Sequence, residues 1–239
     1  MSTPEPSAVE QVADEMIALV RGHPDLGGKR SDTAGLVMYG AYIRAFRRFT
    51  RIRQLAGEGA GEEAVILARS LLSIVARSVW VDIPDDPEER RRRFERYRKR
   101  QLQDELNEAE GLVSVGIDVD VDVDELRGDL QQLADVPILP NDFDLLKSLG
   151  LTVYYERLYR LSSGYVHFSL RQAIDELRTA GEEVALERPE PELAEEALRL
   201  AILTYGLFLK LSQKTVEHDL GTRGLSIIQS SPAFSQGVG

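Results

Sequence analysis

The chain has 239 residues, with 40 acidic side chains against 29 Lys and Arg for a formal net charge of -11, and it has no cysteine. That length can bury a full core in one domain without staples, and the missing thiols exclude disulfides, zinc-thiolate sites and cysteine nucleophiles. A sequence pI near 4.9 also argues against indiscriminate nucleic-acid binding through bulk charge.

Ser7-Ala8-Val9-Glu10 reads as a capping box. It predicts a first helix from Ala8 to Arg21, stopped by Gly22 and Pro24. After a Gly- and Pro-rich loop, Thr33 to about Ala56 is helical, with Met38, Tyr42, Ala45, Phe49 and Ile52 forming one apolar stripe. Glycines at 57, 59 and 61 punctuate the chain before an almost wholly apolar helix over Glu62 to Val81, the kind that lies at the centre of a bundle. Asp86 followed by Pro87 and two glutamates starts a helix that is predicted to reach about Ala109.

Val113 to Asp124 alternates Val or Ile with Asp, and we read it as a loop inside an acidic insertion at about 113–136. Asp118, Asp120, Asp122 and Asp124 have the spacing of calcium ligands. Val123 stands where such a loop needs glycine, however, and Asp129 stands where it needs glutamate, so no metal and no cofactor are expected. Asp122 starts a short helix to about Ala134, and another covers Asp142 to Ser148. Thr152 to about Ser162 follows, ended by Ser162-Ser163-Gly164, and a further helix is capped by Ser169. The final long helix spans about Glu192 to His218, and residues 221–239, rich in Gly and Ser, read as a flexible tail beyond a single domain at 1–220. The fold class is therefore all-α, an up-and-down bundle of four to five long helices with short helices inserted.

Met1 to Pro6 lacks a charged and an apolar leader region, and no window reaches the roughly 20 apolar residues of a membrane span. A cytoplasmic protein without membrane contact is the expectation. Positive charge is concentrated in Arg44, Arg47, Arg48 and Arg51, which repeat on one helical face, and in the run Arg90 to Arg100. Arg44, Arg47, Arg48, Arg51, Arg69, Arg92, Arg96 and Lys99 are the candidate RNA contacts. His23, in a loop, and His218, near a helix end, read as structural.

Chemistry concentrates elsewhere. Arg160 and His167 are separated by six residues, and they pair a permanent forked cation with the side chain best suited to move a proton near neutrality. Spacing alone also suits a structural corner in which the two residues tie helices together by bonding carbonyls or a carboxylate. No P-loop, dinucleotide fingerprint, zinc-protease helix or nucleophile elbow is present.

The stretch Tyr159-Arg160-Leu161-Ser162-Ser163-Gly164-Tyr165-Val166-His167 resembles the Arg-x(4-6)-His signature of the HEPN superfamily of helical nucleotide-binding domains. It is most similar to an uncharacterised, mostly microbial family of unknown function with a Tyr-Arg-x-x-Ser-x-x-x-His core. Ala68-Arg69-Ser70-Leu71-Leu72, Trp80 and Asp86-Pro87-Glu88-Glu89-Arg90 extend the likeness, which covers roughly Glu62 to Ser169. Ser73 departs from it, standing where a glutamate is expected. The resemblance implies a HEPN-like core at about 33–218 and a metal-independent endoribonuclease acting as a homodimer, of toxin or phage-defence type, with an antitoxin or defence component as protein partner. Arg160 and His167 would be catalytic, helped by Ser163 and Tyr165. The alternative is a non-catalytic helical module that binds a protein or nucleotide.

Overall fold

A computed structural model describes residues 5–23, 27–28, 32–166 and 190–235. Helix α1 (Ala8–Arg21) opens on the expected capping box: the Glu10 amide donates to Ser7 Oγ at 3.3 Å and the Ser7 amide donates to Glu10 Oε2 at 2.8 Å. The next helix, α2 (Thr33–Glu58), is capped by Asp32, whose carboxylate accepts from the Gly35 amide. It ends at Gly59, whose φ of 71° is open to glycine at little cost.

Helix α3 (Gly61–Asp82) is the central element and packs against α2, α4 (Pro87–Ser114), α6 (Asp142–Ser148), α7 (Thr152–Val166) and α8 (Pro191–Ser212). Ala64, Val65, Ala68, Leu71, Leu72, Val75, Ala76 and Val79 are all buried along it. Its apolar character exceeds the sequence expectation: among the described residues it alone is long and apolar enough to cross a membrane, with a mean hydropathy of 1.7 over an 18-residue window. Here its sides are covered by the surrounding helices, as the apolar pattern of a bundle's central helix requires. Helix α8 supplies much of that cover. Its Tyr205 ring stacks on Phe49 of α2 with centroids 4.6 Å apart, and Leu198, Ala201, Ile202 and Leu209 are fully buried.

Helix α4 starts at the predicted Asp86 cap and runs past Ala109 to Ser114. Residues 115–122 then form the expected loop, and α5 (Val123–Gln132) folds back against α4. The molecule is all-α apart from one short ribbon among the described residues, in which β1 (Gly27–Gly28) pairs antiparallel with β2 (Val216–Glu217).

Three expectations need correction. The helix expected to end at Ser162 continues through Ser162-Ser163-Gly164 to Val166. Ser162 is buried and its hydroxyl donates back to the Tyr159 carbonyl, which removes the polar cost of a serine inside a helix. The helix expected to reach His218 stops at Ser212, because Val216 and Glu217 are drawn into the ribbon and Thr215 bonds the buried Asp82. The segment read as a flexible tail from Gly221 is instead, as far as Ser235, helix α9 (Leu220–Ser230) and the single turn α10 (Pro232–Ser235). Leu220 and Ile228 are buried, and a Cβ at Gly221 would sit 2.4 Å from the Lys210 Cα. Glycine there serves close helix packing, which composition alone reads as mobility. The helix expected after Ser169 lies outside the described residues.

Candidate functional site

Helix α7 carries the motif that the sequence singles out as far as Val166. Arg160, Ser163 and Tyr165 lie on its last turns, but their side chains and all of His167 lie outside the described residues. What is described is the ground on which Arg160 stands. Its neighbour Tyr159 donates its hydroxyl to Asp142 Oδ2 at 2.5 Å, and Ser73 Oγ donates to the same oxygen at 2.5 Å. The two hydroxyls lie 3.2 Å apart, and Arg77 Nε donates to Asp142 Oδ1 at 3.0 Å. Three helices, α3, α6 and α7, thus converge on one carboxylate.

Aromatic contacts brace this knot. The Arg69 guanidinium lies 4.1 Å from the Tyr159 ring centroid, Tyr155 stacks on Tyr159 at 4.1 Å, and Phe143 meets Tyr155 edge-on at 5.0 Å. Asp142 reaches its place because Asn141 caps α6, accepting from the Asp144 amide, so that Asp142 occupies the first turn where the helix dipole favours an anion. Burial pushes its carboxyl up, yet the hydrogen bonds from Ser73 and Tyr159 and the charge of Arg77 outweigh this and hold it below the ordinary carboxylate range. The Tyr159 hydroxyl moves the opposite way, raised first by burial and then by its bond to Asp142. Asp142 is therefore an ionised anchor with its oxygens committed to three donors, and Tyr159 remains a protonated donor.

This anchor bears on the departure at Ser73. A glutamate is expected there, and the structure brings a carboxylate to that spot from α6. Sequence reading took Asp142 only as the start of a short helix. The one signal available was an acid at the first position of a short helix, and it names no partner.

The basic candidates separate into two kinds. Arg44, Arg47, Arg48 and Arg51 are all exposed on α2, and none has a hydrogen-bond, ion-pair or ring partner among the described residues. The α4 candidates are engaged in structural contacts. Arg92 pairs with Glu89 at 3.4 Å, Arg96 donates to the Ile138 carbonyl and lies 5.2 Å from the Trp80 ring centroid, and Lys99 donates to the carbonyls of Ala134 and Val136. Arg69 is committed to Tyr159. His23 is pinned between α1 and α9 by contacts to the Leu19 carbonyl and the Arg223 guanidinium, and His218 lies tilted against the Tyr42 ring, so both belong to the scaffold.

Among the described residues no group of three or more His, Asp or Glu side chains is arranged to hold a metal. Two of the four run aspartates are committed locally, Asp122 as the α5 cap and Asp124 in a pair with Arg127 at 3.0 Å.

No curated protein and no solved structure matches the chain. Residues 35–183 match a family of unknown function, DUF5677, and that span contains the Asp142 knot, the α2 arginines and the Arg160 to His167 motif. The match covers more than half of the chain, and on it the protein belongs to the DUF5677 family of unknown function.

Proposed function

We propose that this protein is a HEPN-like, metal-independent endoribonuclease in which His167 and Arg160 carry the chemistry. His167 takes the proton from a ribose 2'-hydroxyl, and the freed oxygen attacks the adjacent phosphorus. The leaving 5'-oxygen takes a proton from water as it departs, so the products are a 2',3'-cyclic phosphate and a 5'-hydroxyl. Arg160 neutralises the charge that builds on the phosphoryl oxygens, a task suited to a guanidinium fork. Ser163 and Tyr165 assist in binding the substrate. A homodimer that brings two such motifs to one cleft, and a defence or toxin setting with an antitoxin-like partner, complete the reading by resemblance to the superfamily.

The observation that carries this proposal is the fixation of α7 at Tyr159. A catalytic side chain must be held on a rigid element, and the residue before Arg160 is clamped by Asp142, Ser73 and Arg69. The test is RNA cleavage by the purified protein in excess EDTA. Cleavage is expected to persist, with His167→Ala slower by about 10²-fold or more and Arg160→Ala slower by about 10²- to 10³-fold, each variant retaining the wild-type melting transition. A folded His167→Ala protein of full activity, or a wild type inert toward every RNA offered, returns the protein to the class of non-catalytic binding modules.

A further inference from the structure

The structure separates two basic runs that look alike in sequence. On α4 every basic residue from Arg90 to Arg100 has a partner. Arg90 is buried on Asp32, Arg91 bridges Glu88 and Glu95, Arg93 joins Glu89 to the Trp80 carbonyl, Arg98 pairs with Asp129, and Arg100 pairs with Asp104. Arg92, Arg96 and Lys99 are committed as described above. Their charge is cancelled or tied to carbonyls, and they act as braces within the fold.

On α2 the opposite holds. Arg53, which faces α1, pairs with Glu10 at 2.8 Å and Asp14 at 2.9 Å. The outward Arg44, Arg47, Arg48 and Arg51 have no partner among the described residues, and the only acidic residue of α2 is its last, Glu58. In a chain of net charge -11, four adjacent guanidinium groups without an acidic partner among the described residues make a local positive field. At the helical rise of about 1.5 Å per residue, the four span roughly 10 Å along one side. Leu36 and Ile43, 64% and 50% exposed, border the same side, and Gly40 between them leaves open space where a side chain would stand.

From these observations we infer that the outward face of α2 is a docking track for the backbone of single-stranded RNA. The arginines fork onto successive phosphates, and the apolar border lies against sugars and bases. Arginine rather than lysine at all four places suits bidentate phosphate contact. This inference rests on the ribonuclease reading for the choice of RNA, and it assigns α4 no part in binding.

The test uses a fluorescein-labelled 2'-O-methyl oligouridine, which lacks the attacking hydroxyl and so reports binding whether or not the protein cleaves. Affinity is followed by anisotropy over a salt series for the wild type, for Arg47→Glu with Arg48→Glu, and for Arg91→Glu with Arg100→Glu. The two double variants change the net charge equally. The α2 pair is expected to bind about tenfold more weakly or worse, and to flatten the slope of log affinity against log salt by about 1 to 2, given about 0.7 per lost phosphate contact on a single strand. The α4 pair should leave that slope close to wild type. Equal losses in both double variants, no loss in either, or no binding by wild type overturns the track. So does sedimentation showing that the α2 pair dissolves a dimer while oligouridine affinity is unchanged, which would make the face a protein interface. Intact binding in a protein that cleaves no RNA would overturn the ribonuclease reading alone.

Discussion

Asp142 ties together more of the candidate site than any other described residue, and its energetic role follows from what it touches. Replacing it with alanine leaves the Ser73 and Tyr159 hydroxyls and the Arg77 guanidinium without their common acceptor in a setting where its own side chain is only 13% exposed. Loss of a largely buried acceptor with several donors is expected to cost about 2 to 4 kcal/mol, read as a lowered urea midpoint. Tyr159→Phe keeps the stacking on Tyr155 and removes one donor, so it should cost about 1 kcal/mol. The pH dependence follows from the lowered carboxyl. Because the folded state binds this proton less readily than the unfolded chain does, the anchor contributes fully above the unfolded carboxylate range, near about 4. Its contribution falls away as the pH drops toward the lower folded value. Asp142→Asn should flatten the fall in stability across that acid window, and a wild-type slope in the variant would show that the carboxylate contributes nothing.

At the scale of elements, local chemistry made most helices legible in the sequence. Ser7 with Glu10, Asp86 with Pro87, and Asn141 all fix helix starts through contacts a few residues away, and such contacts can be read from a string. What could not be read depends on distant neighbours. Ser162-Ser163-Gly164 looks like a stop, but burial of Ser162 carries the helix through. Gly221 looks like a mobile tail, but α8 lies against it backbone to backbone. Two substitutions with the same helix propensity change separate these effects. Gly221→Ala should destabilise by about 1 to 3 kcal/mol, because overpacking outweighs propensity. Gly111→Ala on α4, whose added Cβ meets nothing within 4 Å, should stabilise by about 0.5 to 1 kcal/mol. Thermal melts of both variants provide the comparison, and a stabilised Gly221→Ala would contradict the packing of α9.

Over the whole molecule, the family match and the core do not have the same limits. The match ends at residue 183, yet α8 lies beyond it and covers α2 and α3 with Tyr205, Phe208 and Leu209. A fragment of residues 35–183 should therefore lack a cooperative melt, because it leaves a large apolar face of α3 in water. A sharp transition in that fragment would move the core's boundary. The candidate site divides between what is local and what is not. Arg160 and His167 are close in the sequence and could be read as a motif. The carboxylate that anchors the helix of Arg160 comes from α6, and the commitment of Arg96 and Lys99 on α4 depends on Ile138, Ala134 and Val136 far along the chain. Charge runs give the sign of a surface, whereas its availability depends on the tertiary partners. The most direct measurement of the central claim is the end chemistry of RNA fragments made by the wild-type protein in EDTA. A 2',3'-cyclic phosphate and a 5'-hydroxyl, both lost in a folded His167→Ala protein, are the predicted result. A 3'-hydroxyl with a 5'-phosphate, or cleavage that appears only when a divalent metal is restored, would contradict it.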